Sequence, residues 1–269
     1  QCGEREMLLL AAGGFALAIA IKASALTCGL PAAIVLLSLG ALEQAWRRVA
    51  TLALAVMLAI ALFAAPAGYW KNLRRFGNPL GSEHFRETHL SGGPSESRWH
   101  MGMLNLARFA GDLLTLDGIP ESWAGAAGSQ LKHRIGAGLR TAGLDAEASS
   151  ATRSPFSWLR PRLSDENLSY FGWPGVALLL PGSLGALLLW RRRPHAGIFA
   201  LAAGVFFIGQ AFAGPYDPWR GRHFILGAIF AAPAIAWPFE SSVIWLRRIA
   251  WWAAAIAVLA IVPAVFAPR

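Results

Sequence analysis

The chain alternates long apolar runs with short charged clusters. Seven stretches contain no Asp, Glu, Lys or Arg: residues 7–21, 23–42, 49–70, 167–190, 194–216, 223–239 and 249–268. Inside them apolar residues follow one another without the period-two alternation of a barrel strand, so the pattern predicts helices. A helix needs about 20 apolar residues to cross a hydrocarbon layer roughly 30 Å thick. Five runs have that length. The runs 7–21 and 223–239 are shorter and fit tilted, partly sunk or re-entrant helices. The predicted fold class is all-α: a polytopic transmembrane helical bundle of about seven spans, one transmembrane domain over residues 1–269.

Residues 71–166 interrupt this pattern as a long polar loop. Loops of this length without structure are uncommon, so helices are expected in it. One is predicted from Met101 to Leu116, with Met103, Leu106, Phe109, Leu113 and Leu116 as its apolar stripe and Arg108 and Asp112 off it. A second is predicted from Gly128 to Leu144, with Leu131, Ile135 and Leu139 on one side and Lys132, Arg134 and Arg140 on others. Amphipathic helices of this kind either lie in the membrane surface or pack together as a small external subdomain. Ser149 to Ser154 reads as a connector.

Composition agrees with a membrane protein. The chain is 269 residues long, 55% hydrophobic and only 14% charged; soluble proteins carry about 25% charge. Its net charge of +9 invites a nucleic-acid reading, but the placement of the charge argues otherwise. The loop 71–166 is nearly balanced, with 12 basic and 10 acidic residues. Most of the remaining basic residues are Arg5, Arg47–Arg48, Arg191–Arg193 and Arg247–Arg248. If each run crosses once, these clusters share one face, which the bias of Lys and Arg makes cytoplasmic. No basic stripe with interleaved aromatics is present, so nucleic acid is not an expected partner.

The two cysteines, Cys2 and Cys28, have no metal-type spacing, and a disulfide between them is not expected. Glu83, His84, Glu87 and His89 fall in no defined metal-site spacing and read as surface residues. No metal and no cofactor is expected. Asn167-Leu168-Ser169 matches a glycosylation sequon, a short triplet of low specificity. Because the chain starts at Gln1, the expectation is a piece of a longer reading frame, which would make seven spans a lower limit.

Three outer patches concentrate cations. Lys22 sits in the turn between the first two runs, where a lysine can also simply snorkel to headgroups. Tyr69-Trp70-Lys71-Asn72 leaves the third run and is followed by the turn Gly77-Asn78-Pro79. Pro215-Tyr216-Asp217-Pro218-Trp219-Arg220-Gly221-Arg222-His223 links two late runs. Each patch alone fits an interfacial anchor. Together, on one outer face, they suit a lipid-linked phosphate, for which arginine offers bidentate contacts.

In order and spacing these patches resemble the later part of the GT-C membrane glycosyltransferases, in the branch of protein mannosyltransferases and lipid A aminoarabinose transferases (the family 39 type). Members often show a Gly-rich helix, Thr-Lys and a small-residue turn; here Gly13 to Ser24 carries Ile21-Lys22. Members often follow with Pro-Trp-x-x-Arg-Asn and Gly-Asn-Pro; here Tyr69-Trp70-Lys71-Asn72 and Gly77-Asn78-Pro79 stand, with Lys71 in the Arg place. A late aromatic-rich loop ends in Gly-Arg-aromatic, here Gly221-Arg222-His223-Phe224. The likeness covers residues 10–80 and 170–240.

The resemblance implies transfer of a sugar from a polyprenyl-phosphate donor to a lipid, glycan or protein acceptor at the outer face of the membrane; the many arginines and three lysines hint at a bacterial source and so at an inner membrane. Lys22, Lys71 and Arg222 would neutralise the donor phosphate, and Asn72 and Asn78 would shape the outer loop. Arg220 and His223 are secondary candidates. Asp217 is an acid or base candidate that could instead pair with Arg220 or Arg222. The family's catalytic acidic residue lies in an N-terminal external loop outside the matched region, so no catalytic residue is assigned. An O-antigen ligase or polymerase, a transporter or permease subunit, and a non-catalytic remnant are the alternatives.

Overall fold

The computed structural model describes residues 2–21, 23–90, 97–113, 121–148, 152, 155–158, 175–217 and 224–266. Among the described residues the chain is all-helical, with one isolated bridge between Thr152 and Tyr216 as its β-type pairing. It divides into two compact units, residues 1–91 and 92–269. The boundary falls inside the polar loop 71–166, so the two ends of that loop belong to different units.

Unit 1 holds α1 (Cys2–Ile21), a 3₁₀ turn (Ala23–Cys28), α2 (Gly29–Leu42), α3 (Trp46–Ala59), α4 (Trp70–Phe76) and α5 (Glu83–Leu90). α2 and α3 form a tight hairpin. Gly40 makes it possible: a Cβ there would lie 2.6 Å from Val49 Cγ2. After Ala59 the helix widens into a π-helix, Ile60–Tyr69, that contains Pro66. Proline lacks an N–H and its ring clashes with the carbonyl four residues back, and a wider turn accommodates both. The run ends at Gly68, whose φ of 128° is open only to glycine, and α4 starts two residues later in a new direction. The 49–70 run is therefore one helical element, terminated at the Pro-Ala-Gly sequence.

Unit 2 holds α6 (Arg98–Leu113), α7 (Glu121–Thr141), α8 (Leu180–Leu188) entered through a π turn (Gly175–Leu179), α9 (Pro194–Phe212), α10 (Ile225–Ala236) and α11 (Ile244–Phe266). α9 is the central element and packs on α6, α8 and α10. Glycines set the distances. A Cβ at Gly182 of α8 would lie 3.1 Å from backbone atoms of Ala234 and Ile235, and Gly185 leaves room for the Trp237 ring. Trp237 closes that contact by donating its indole N–H to Gly182 O at 2.9 Å.

The two helices expected inside the polar loop exist with shifted ends, and the first buries a partly different face. The first starts at Arg98, where the Ser97 hydroxyl accepts the His100 N–H, rather than at Met101. The second spans Glu121–Thr141 and stops where Gly143 (φ 80°) lets Leu144 N–H return to Leu139 O. Of the expected stripe Phe109 is buried, Met103, Leu106 and Leu113 are half-buried, and Leu116 lies outside the described residues. The most buried face runs through Met101, Leu104, Asn105, Arg108 and Phe109, which makes Arg108 fully buried. α6 packs on α9, and the Trp158 ring fills the space over both Gly111 of α6 and Gly136 of α7. Polar residues were assigned outward by hydropathy alone; here backbone carbonyls satisfy them inside. Asn167-Leu168-Ser169 lies outside the described residues.

All seven apolar runs contain helix. Among the described residues three helical segments are long and apolar enough to cross a membrane: Ala25–Leu42, Trp46–Phe63 and Pro194–Phe212. Leu9–Ala20, Gly175–Leu188 and Ile225–Ala236 are shorter apolar helices. Along α3 and its extension Leu54, Met57, Leu58, Leu62 and Phe63 are all exposed. An apolar face of that size is rare on a soluble monomer. Cys28 is a buried free thiol at the start of α2.

Glycine fit predicts a graded response. Gly185→Leu forces a side chain into the Trp237 ring and should cost about 1–3 kcal/mol. Gly204→Leu, on α9 with no atom within 4 Å of its Cβ position, should cost nothing. Thermal unfolding of the detergent-solubilised protein checks both; equal midpoints for the two variants would contradict the packing.

Candidate functional site

In unit 1 the first two cationic motifs meet at one end. Tyr69 Oη donates to Ile19 O at 2.8 Å. Ile19 and Ala25 form a buried pair against which Phe15, Ile60 and Tyr69 pack. Lys22 itself lies outside the described residues, but three residues before it the chain is tied to Tyr69, two residues before Lys71. Lys71 is exposed on α4, with no ion-pair partner among the described residues. The neighbouring cations are engaged differently. Arg74 lies over the Trp70 ring at 4.8 Å and Arg75 over Phe76 at 5.2 Å, contacts that hold a guanidinium against an aromatic face.

Asn72 and Asn78 build the turn beyond α4. α4 ends on Gly77 in the left-handed region (φ 66°), with its N–H on Leu73 O at 2.9 Å. Asn78 Oδ1 accepts the Leu80 N–H at 2.9 Å, an Asx turn. Asn72 Nδ2 reaches across to Pro79 O at 3.2 Å. The result is a shallow groove of about 270 Å³ between Asn72, Phe76, Leu80, Gly81, Ser82 and Phe85. Glu83, His84 and Glu87 are exposed on α5 beside it, and no metal-binding group of three or more His, Cys, Asp or Glu occurs among the described residues.

In unit 2 the late loop leaves α9 through Ala213 to Asp217. Arg220, Arg222 and His223 lie outside the described residues. Asp217 is half-buried and already engaged in an interaction. Tyr216, read from sequence as part of an interfacial patch, is fully buried. Its hydroxyl donates to Asp112 Oδ2 at 2.9 Å, and its ring contacts Phe109 and Phe156.

What fixes this loop is a pair of polar residues that sequence reading missed. Asn105 Nδ2 donates to both Ala211 O and Gly214 O at 2.8 Å, holding the end of α9 against α6. Arg108 donates from Nε and Nη2 to Ala146 O at 3.1 and 2.9 Å and from Nη1 to Asn105 Oδ1 at 3.1 Å. Its guanidinium also lies 5.4 Å from the Tyr216 ring centre. The signal available was Asn105, Arg108 and Asp112 at spacings of three and four on one helix, a polar stripe matching three loop segments. Ala146 is presented by an Asx turn in which Asp145 Oδ1 accepts the N–H groups of Glu147 and Ala148.

The chain matches no family model, no curated protein and no solved structure.

Two substitutions test this geometry. Tyr69→Phe removes one hydrogen bond and should cost about 1 kcal/mol. Arg108→Leu strands Ala146 O and Asn105 Oδ1 in the interior and should cost about 3 kcal/mol or more, since bonds to charged groups are the stronger kind. Denaturant unfolding in detergent measures both. A smaller loss for Arg108→Leu than for Tyr69→Phe would refute the buried network.

Proposed function

We propose that the chain is the later part of a GT-C-like membrane glycosyltransferase, a seven-span bundle of the bacterial inner membrane that takes a sugar from a polyprenyl-phosphate donor at its outer face. The observation that carries this reading is the Tyr69–Ile19 hydrogen bond. It draws the Gly13-to-Ser24 motif and the Tyr69-to-Asn72 motif to one end of unit 1, as a shared phosphate site requires. On this reading the motifs assign two lysines, Lys22 and Lys71, to one anion. A phosphate that becomes a leaving group gains charge in the transition state, and fixed cations lower that barrier most where water is scarce. Asn72 and Asn78 set the loop that follows Lys71. Arg222 and the weaker candidates Arg220, His223 and Asp217 join the assignment on the strength of the late-loop motif alone.

The acceptor is a lipid, a glycan or a protein. The catalytic carboxylate belongs to a segment N-terminal to the motifs considered. Extending the reading frame upstream of Gln1 tests that part: further apolar spans with an acidic residue in their first external loop support the reading, and their absence turns it towards a non-catalytic remnant.

Transfer itself is measured with the full reading frame in proteoliposomes, using a labelled polyprenyl-phosphate sugar. Lys71→Ala and Arg222→Ala should each lower transfer by about 100-fold, the range for loss of one transition-state electrostatic contact. Membrane insertion should be unchanged, because neither residue lies within an apolar run. Wild-type rates in either variant remove that residue from the site.

A further inference from the structure

Two arginine clusters of unit 2, far apart in sequence, are brought to one end of the helices. The loop after α8 carries Arg191, Arg192 and Arg193, and the first turn of α11 carries Arg247 and Arg248. The connection is direct. Arg193 lies over the Trp237 ring at 5.7 Å and 3.9 Å from Glu240. Leu189, two residues before the first cluster, and Leu246, one residue before the second, both pack on the core of Ala186, Ala196, Ala200, Ala234 and Trp237. Phe239 meets Trp251 edge to face at 5.1 Å and so ties the connecting loop to α11.

This end is strongly cationic. Five arginines face one carboxylate, Glu240, and that carboxylate is engaged by Arg193. Arg191, Arg192, Arg247 and Arg248 are exposed and have no side-chain partner among the described residues. Exposed tryptophans flank them: Trp245 is 64% exposed and Trp252 70%. Indole rings favour the headgroup level of a bilayer, where one edge is wet and the rest apolar. Guanidinium groups chelate phosphate oxygens in pairs. Two pairs of guanidinium groups, the first following the part-exposed Trp190 and the second between Trp245 and Trp252, have the chemistry of a phosphate site at headgroup depth.

We infer that the Arg191–Arg192 and Arg247–Arg248 pairs form a binding site for an anionic phospholipid, with a headgroup of two phosphates as its best-matched ligand. The site is independent of the transfer reaction, since no residue assigned to the donor takes part. It also differs from a topology signal. A topology signal acts while the chain inserts and needs only charge; a lipid site persists in the purified protein and depends on the forked donors of arginine.

The test is native mass spectrometry of the detergent-purified protein titrated with diphosphatidylglycerol, with phosphatidylcholine as the zwitterionic reference. Orientation in the bilayer plays no part in detergent. The wild type should bind diphosphatidylglycerol in preference to phosphatidylcholine. Each arginine near an anionic headgroup is worth about fivefold in affinity. Changing all four to glutamine (R191Q, R192Q, R247Q, R248Q) should therefore weaken diphosphatidylglycerol binding by about 600-fold and leave phosphatidylcholine binding unchanged. The four-lysine variant keeps the charge and serves where the glutamine variant fails to fold; its affinity should fall below wild type. Equal binding of the two lipids by the wild type, or wild-type diphosphatidylglycerol affinity in the lysine variant, overturns the site.

Discussion

A guanidinium taken fully out of water must be surrounded by oxygen, and Arg108 finds it in a turn carbonyl and a side-chain amide. Arg108 takes Ala146 O twice and Asn105 Oδ1 once; Asn105 in turn takes Ala211 O and Gly214 O. An unmet partner in such a network costs more than the bond itself contributes. The segments 145–148 and 211–216 are therefore held where α6 demands them, and Tyr216 is locked over the guanidinium with its hydroxyl on Asp112. The late loop that carries the arginine motif starts from this fixed point at Asp217.

Apolar packing in both units depends on the same economy of space. Small residues let helices approach until a large ring or a backbone fills the gap: Val49 over Gly40, Trp158 over Gly111 and Gly136, Trp237 over Gly185, Trp190 over Gly197. Between apolar helices, close van der Waals contact and a few shared hydrogen bonds supply the cohesion, which is why the indole N–H of Trp237 finds Gly182 O. With 28 glycines and 12 tryptophans the chain has the material for this mode of packing, and each pairing fixes one interhelical distance.

Much of the helical order was legible because it rests on charge-free runs. A stretch such as 194–216 has no choice but to bury its backbone bonds in a helix, and α9 fills nearly all of it. The end of the third run was legible for the same reason, since Pro66 and Gly68 restrict the backbone themselves. The faces of α6 were not. Hydropathy places Arg108 outside, and only knowledge of where Ala146, Ala211 and Gly214 lie reverses that assignment. The meeting of Tyr69 with Ile19 across 50 residues was equally hidden: the motif order pointed to a shared end, but a single hydroxyl makes the contact. Asn72 and Asn78 were legible as turn residues because their side-chain bonds are local.

The distribution of buried polar groups bears on what kind of chemistry the molecule can perform. Asn105, Arg108 and Gln210 are buried, and the first two act at the end of α9. Gln210 is two residues from that end. A carrier needs polar groups part-way along its helices, where substrate pauses between two aqueous sides. Here Ala196, Ile198, Ala200, Ala202, Ala203 and Phe206 make the middle of α9 apolar. In α9 the buried polar group Gln210 lies near the helix end, whereas Asn105 and Arg108 lie part-way along α6 and find their partners in the carbonyls of the α9 end and the loops packed against it.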